Sequence, residues 1–239
     1  MCGRFALTQT PNTVQAWFDY PDRPNFPPRY NIAPTQPVAV VRRDEGRPRF
    51  ILMRWGFIPG FVKDPKEFPL VINVRSETAA QKPSFRGALQ YRRCLLPADA
   101  FYEWQALGPV KQPFLIRRPD RGLFAFAGLW ETWSGTDGSE IDTVAILTTH
   151  ANGTLAAVHE RCPVVLDRDR IADWLDPTLR PADIAAFLKP PPDDFFELVR
   201  ISTAVNRVAN DDASLQAPID GPPPVKRPPS SDDPQGSLF

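Results

Sequence analysis

Between Pro37 and about residue 166, short apolar runs alternate with clusters of Gly and Pro, and this spacing limits the chain more than any other feature. The runs are Val38–Val41, Phe50–Met53, Leu70–Val74, Phe114–Arg117, Leu123–Leu129, Thr143–Thr149 and Val164–Leu166. Each is too short for a core helix and rich enough in β-branched and aromatic residues to read as a strand. The breakers between them, such as Gly108-Pro109 and the Ser134–Gly138 stretch, leave no room for regular crossover helices. The pattern therefore predicts antiparallel meanders closing into a barrel-like sheet. Helices are expected only at the flanks. Thr10-Pro11-Asn12 before Val14, Trp17 and Phe18 reads as an N-capped first helix. Two more are expected at Arg168–Leu175 and Pro181–Leu188, and a last strand at Phe195–Ile201. No internal repeat is present. The fold expected is a single α+β domain over residues 1–216.

From about Ala217 the composition changes to Gly221-Pro222-Pro223-Pro224, Pro228-Pro229-Ser230-Ser231 and Asp232-Asp233-Pro234. Such a segment buries too little apolar surface to offset its ordering entropy, so residues 217–239 are expected to be a disordered tail.

Hydrophobic residues make up 42% of the 239 residues and charged residues 23%, the balance of a soluble domain. No apolar run approaches the ~20 residues a bilayer span needs, and the first residues lack a secretory h-region. Three widely spaced cysteines, Cys2, Cys94 and Cys162, suggest no disulfide framework, so a reducing, cytoplasmic compartment is expected. With only two histidines, they also lack metal-ligand spacing, and neither a metal nor a cofactor is expected. Net charge is zero, but residues 1–130 carry 19 Lys+Arg against 10 Asp+Glu, and the remainder carries the opposite excess. Such asymmetry lets one face attract phosphates; solvated charges spread over both halves would give the same count.

Cys2 has an option that an internal cysteine lacks. Removal of Met1 leaves a thiol and an α-amine on adjacent carbons, with reference pKa values of ~8.5 and ~7.7–8.0. An aldehyde meeting this pair forms a Schiff base with the amine, and addition of the thiol then closes a thiazolidine. The plainer alternative is an inert residue in a loose terminus.

Further polar and aromatic segments stand at loops or strand ends: Tyr30-Asn31-Ile32-Ala33-Pro34, Trp55-Gly56-Phe57-Ile58-Pro59 and Asn73-Val74-Arg75-Ser76-Glu77-Thr78. So do Arg93-Cys94-Leu95-Leu96-Pro97-Ala98-Asp99-Ala100-Phe101-Tyr102-Glu103-Trp104, Phe126-Ala127-Gly128-Leu129-Trp130-Glu131 and Val158-His159-Glu160-Arg161-Cys162-Pro163. With Met1-Cys2-Gly3-Arg4-Phe5 at the start, their order and spacing resemble the SRAP family of abasic-site-processing, SOS-response-associated proteins. The likeness runs from Met1 to roughly residue 210.

The resemblance implies roles for single residues. Cys2 matches the covalent nucleophile, Asn73 the residue that bonds the N-terminal amine, Glu103 the acid/base carboxylate, and His159 the group assisting sugar-ring opening. These types suit the chemistry: histidine has a reference pKa of ~6.5 and exchanges protons near neutrality. Glu103, among Phe101, Tyr102 and Trp104, should be raised in pKa. Each also has a bland reading: a surface carboxylate, a core histidine, a strand-end cap at Asn73. The resemblance further implies DNA contacts at Arg4, Arg75, Thr148 and Arg161, and a wedge beside the lesion at Pro34 and Pro59-Gly60-Phe61-Val62. Phe61 stands where the family often has Trp, and Cys162 where it usually has Met or Arg. His150 matches no family position and reads as structural; Cys94 and Cys162 read as small packing residues.

The implied function is covalent capture of abasic sites in single-stranded DNA by a monomer. Two other classes compete. Met-Cys-Gly also opens N-terminal-nucleophile hydrolases, but no oxyanion-hole or glutamine-binding motif follows here. A non-catalytic single-strand binding module explains the arginines and aromatics but not Cys2. The family's peptidase description is read as maturation at the Met1–Cys2 bond. Finally, Gln235-Gly236-Ser237-Leu238-Phe239 resembles the pentapeptide with which bacterial repair proteins dock on the sliding clamp. There, Leu238 and Phe239 would fill an apolar pocket and Gln235 would bond at its rim.

Overall fold

The computed structural model describes residues 2–220; Met1 and residues 221–239, with Gln235, Leu238, Phe239 and most of the expected tail, lie outside the described residues. Thirteen strands form two sheets: β1 (Phe5–Leu7), β2 (Arg29–Ile32), β3 (Pro37–Asp44), β4 (Arg47–Trp55), β5 (Asn73–Arg75), β6 (Arg93–Ala98), β7 (Ala100–Leu107), β8 (Val110–Arg117), β9 (Phe124–Ser134), β10 (Glu140–His150), β11 (Arg161–Pro163), β12 (Val165–Leu166) and β13 (Glu197–Arg200). Helices are short: α1 (Pro11–Phe18), α2 (Ser76–Ala79), α3 (Pro83–Tyr91), α4 (Gly153–Ala156), α5 (Ile171–Trp174) and α6 (Pro181–Ile184).

The larger sheet closes on itself. Strands β10, β4, β3, β6 and β9 pair in turn, and β9 pairs back to β10, making a five-stranded barrel. Four of the five seams are antiparallel. The fifth, β4 on β10, is parallel and only two residue pairs long. Strands β5 and β11 extend β10, and β12 lies on β9. The second sheet has the order β13-β8-β7-β1-β2.

Strand β7 lies between two cores, which explains its composition. Phe101 points into the main core and meets Phe126 at 5.9 Å, while Tyr102 on the opposite face packs with Ala6, Ala100, Leu115, Ile201 and Val205. A strand buried on both faces loses the polar alternation of a half-exposed one. The main core includes Val38, Val40, Leu95, Leu96, Phe126, Leu129 and Ile146, from both faces of the barrel strands, all fully or nearly fully buried. Phe5 joins it, edge-on to Trp55 at 5.1 Å and to Phe126 at 5.6 Å.

Local signals act as expected at α1: Thr10 Oγ1 accepts from the Thr13 amide at 3.2 Å, a cap of the kind that contributes about 1 kcal/mol. Elsewhere the structure differs from the sequence reading. Leu70–Val74 is not one strand: Val71 makes only an isolated bridge to Phe57, and β5 begins at Asn73. The bridge is allowed by Gly56, whose φ of +148° is one that L side chains rarely adopt, and at which an added Cβ would lie 2.6 Å from Leu70. At the other end, Pro218 bridges Ile201 and the Ile219 amide donates to Arg200, so these residues continue the described fold past residue 216. No helix among the described residues is long and apolar enough to cross a membrane.

Candidate active site

Cys2 lies just before β1, wholly buried. Its position is set by main-chain bonds: the Tyr102 amide donates to Arg4 O at 3.0 Å, tying the N-terminal segment to β7. Asn73 then reaches it from the other sheet. Parallel pairing of β5 with β10 sets Asn73 beside Ile146, and its Nδ2 donates to the Cys2 carbonyl at 2.7 Å. The buried Oδ1 of the same amide has no partner among the described residues, so an acceptor is left beside the residue that would carry the α-amine. Burial, and secondarily the nearby Glu103 carboxylate, push the Cys2 thiol far above its usual range; it is held as a neutral S–H.

Glu103 stands on β7 and is only 4% exposed. Burial raises its carboxyl above the ordinary glutamate value. Glu103 and His159 line one cleft of about 450 Å³ with Arg4, Trp104, Lys111 and Asn206. His159 follows α4, where its amide donates to Leu155 O, and its Nδ1 accepts from the Arg161 amide at 3.0 Å. The imidazole is therefore pinned at Nδ1.

The cationic residues divide into two groups. Arg75 is exposed, in register with Thr148 of β10. Arg4 and Arg161 are occupied. Arg4 Nη1 donates to Asn31 Oδ1 at 2.7 Å and to Val205 O at 2.9 Å. Arg161 is 6% exposed and forks onto Glu77, with Thr148 as a further acceptor. Pro34 is half-buried in the turn after β2, and Phe61 is 65% exposed at the tip of the loop that opens after Phe57. That loop is anchored from below, where Trp133 Nε1 donates to Val62 O at 2.7 Å. Cys94 and Cys162 are buried; burial pushes the Cys162 thiol up to about 12. His150 is exposed, with Nε2 3.7 Å from Glu77.

The strands thus bring Cys2, Asn73, Glu103, His159 and Arg4 to one place and leave Phe61 outside it. Four participants went unassigned in the sequence: Glu77, Lys111, Asn31 and Asn206. Asn31 and Glu77 lay inside motifs already quoted. Nothing local marks Asn206, which reaches the cleft by accepting from Trp104 Nε1 at 2.8 Å.

Residues 1–208 match the family described as SOS response associated peptidase, SRAP, which is most of the chain. The chain belongs to the SRAP family. Among its relatives is the abasic site processing protein YoaM of Bacillus subtilis, 38% identical over 90% of this chain and 97% of that one. Another is the abasic site processing protein HMCES of Gallus gallus, 31% identical over 92% of this chain and 78% of that one. A solved protein from Bacteroides thetaiotaomicron has the same fold at a TM-score of 0.82 and 22% identity, the match covering 91% of this chain and all of that one. At the level of the SRAP family, then, the activity is abasic-site processing.

Proposed function

We propose that this SRAP protein captures abasic sites in single-stranded DNA as a thiazolidine on Cys2 once Met1 has been removed. The observation that carries the reading is the bond from Asn73 Nδ2 to the Cys2 carbonyl beside a cleft holding Glu103 and His159. A free amine and thiol on one buried residue, next to a carboxyl raised by burial, is what an aldehyde-trapping site requires.

The steps balance as follows. The proton of the C1′ hydroxyl passes to the ring oxygen, which His159 Nε2–H holds by a hydrogen bond, as the C1′–O bond to the ring breaks and the aldehyde opens. The Cys2 amine adds to C1′ as one of its protons passes to the aldehyde oxygen, giving a carbinolamine; protonated Glu103 then donates to the departing hydroxyl and takes the remaining proton from nitrogen, so that water leaves and a C=N bond forms. The neutral thiol then adds across that bond: sulfur bonds to C1′ and the thiol proton passes to nitrogen. One water is released overall. A neutral thiol suits the last step, because its proton is consumed there. Asn73 orients the amine without adding charge. Arg4, Arg75 and Thr148 hold the flanking backbone, with Arg161 kept behind them on Glu77, and Pro34 and Phe61 meet a neighbouring base. Opening of the Met1–Cys2 bond is the maturation step.

The test is a denaturing gel with abasic, uracil-containing and intact oligonucleotides, followed by intact mass. A shifted band only in the abasic lane, one water lighter than protein lacking Met1 plus DNA, is expected. Bands in every lane, or none, would end the reading. The clamp-docking motif is a separate proposal for the tail. A peptide of the last ten residues should bind a bacterial sliding clamp at micromolar concentration and lose it on Leu238→Ala or Phe239→Ala.

A further inference from the structure

Glu77 belongs to α2, four residues after Asn73, and carries none of the reacting groups. Its contacts are nevertheless specific. Arg161 Nη1 donates to Oε1 at 3.1 Å and Nη2 to Oε2 at 2.9 Å, while Nη2 also donates to Thr148 O at 2.7 Å and Thr148 Oγ1 at 3.2 Å. A two-point fork of this kind sets the rotation of a guanidinium as well as its position. The Arg161 side chain is 6% exposed and that of Glu77 36%, so the pair is shielded on the arginine side and open on the other. Burial works against the Glu77 charge, but the Arg161 bonds, with a main-chain bond and the neighbouring charges, together hold the carboxyl below its ordinary value. His150 Nε2, at 3.7 Å and in solvent, adds only a distant contact.

The fork matters because of what Arg161 does with its main chain. Its amide points at His159 Nδ1. A nitrogen that accepts cannot also carry hydrogen, so the neutral ring holds its proton on Nε2. A doubly protonated ring would set two donors against each other. The same short segment thus ends in Asn73 at Cys2 and in Glu77 at Arg161, and governs both sides of the cleft.

We propose that Glu77 is a positioning residue for capture: it fixes Arg161, through it the Nε2–H form of His159 and the place of Thr148, and it masks the Arg161 charge from DNA. This rests on the capture chemistry above. Removing the carboxylate then has two opposed effects. Capture slows, because the proton donor and Thr148 lose their setting. Non-covalent binding strengthens, because an arginine is released and a negative charge leaves the phosphate path.

The experiment compares wild type, Glu77→Gln and Glu77→Asp, each shown to be folded by thermal melting. Single-turnover capture is followed on an abasic strand, and equilibrium binding on a strand with a tetrahydrofuran analogue that cannot react. Glu77→Gln should lower the limiting capture rate roughly 10- to 100-fold, the scale of a misplaced catalytic group. Its affinity should hold or rise several-fold, and its log–log salt slope should steepen by about 0.7, one added phosphate contact. Glu77→Asp should recover part of the rate. Long-range proton–nitrogen spectra of the imidazoles should show His159 as Nε2–H in wild type and as a mixture in Glu77→Gln. Rate and affinity falling together would reduce Glu77 to a structural ion pair, and no change in either would remove it. A wild-type His159 protonated at Nδ1 would overturn the proposal even where capture is robust. Absence of wild-type capture would instead strike the proposed chemistry, and the imidazole spectra would still decide the Glu77 contact.

Discussion

The cleft around Cys2 and the loop around Phe61 are built on opposite plans. In the cleft, polar atoms are held from several sides: Asn73 by β5 pairing and the Cys2 carbonyl, His159 by two main-chain bonds, Arg161 by Glu77 and Thr148. In the loop, the base is tied down by Trp133 while the phenyl ring stays 65% exposed. Bond formation depends on placement to a fraction of an ångström, whereas stacking tolerates any base that offers a flat face. The two regions should therefore respond differently to the same kind of damage: the cleft in rate, the loop in affinity.

The sharpest way to break this contrast is Cys2→Ala, which should abolish the heat-stable adduct while leaving binding to unmodified strands unchanged. Because the α-amine remains, a Schiff base trapped by borohydride should still be seen. An N-terminal tag should abolish capture as well. A heat-stable adduct in either protein would mean that the cleft is not where the bond forms.

Glu103→Gln comes next, with capture slowed by roughly 10²–10⁴-fold, the usual contribution of a positioned proton donor. Its pH dependence has a definite sign. Burial raises the Glu103 carboxyl, so the donor form persists above the ordinary glutamate range and is lost as pH rises through the raised value. Wild-type capture should fall along that limb, and Glu103→Gln should flatten it. A limb that survives the substitution would assign it to another group.

How much of this was visible in the chain itself differs between the same two regions. Strands were legible where a short β-branched or aromatic run meets turn residues, as at Phe114–Arg117 in β8 or Thr143–Thr149 in β10, and α1 announced itself through Thr10 and Pro11. Strand β7 looked like a loop because Phe101 and Tyr102 serve different cores and erase the alternation. Helix α3 was missed because Lys82 supplies no side-chain cap and Gly87 sits mid-helix. Cys2, Asn73, Glu103 and His159 were legible as a set through the family resemblance, since each residue type alone admitted a bland reading; the strands bring the four together. What no spacing reveals is which nitrogen of His159 is held, or that Arg161 is already paired, since both depend on the pairing of β10 with β11 and on α2.

On the loop side, Phe61→Ala should weaken binding to single strands by about 1–3 kcal/mol, the range for one stacked base, and Phe61→Trp should strengthen it. The limiting capture rate should stay near wild type in both. A rate that collapses with Phe61 would show the loop to be part of the chemistry and dissolve the contrast.

The smallest effect expected is at Arg75. As the exposed member of the cationic set, its replacement by Ala should flatten the salt dependence by about 0.7 in log–log slope and leave sequence preference alone. An unchanged slope would take Arg75 off the DNA path.

The burial of Cys2 has a consequence beyond its reaction with an aldehyde. Thiolates, not thiols, are the species that peroxides and alkylating agents attack, and a sulfur with no exposed surface and a strongly raised pKa presents almost none. The nucleophile is thus stored in a form resistant to oxidation to sulfenic acid and beyond. If Cys2 captures lesions as proposed, each capture consumes one thiol, and burial keeps that thiol available until a lesion is met.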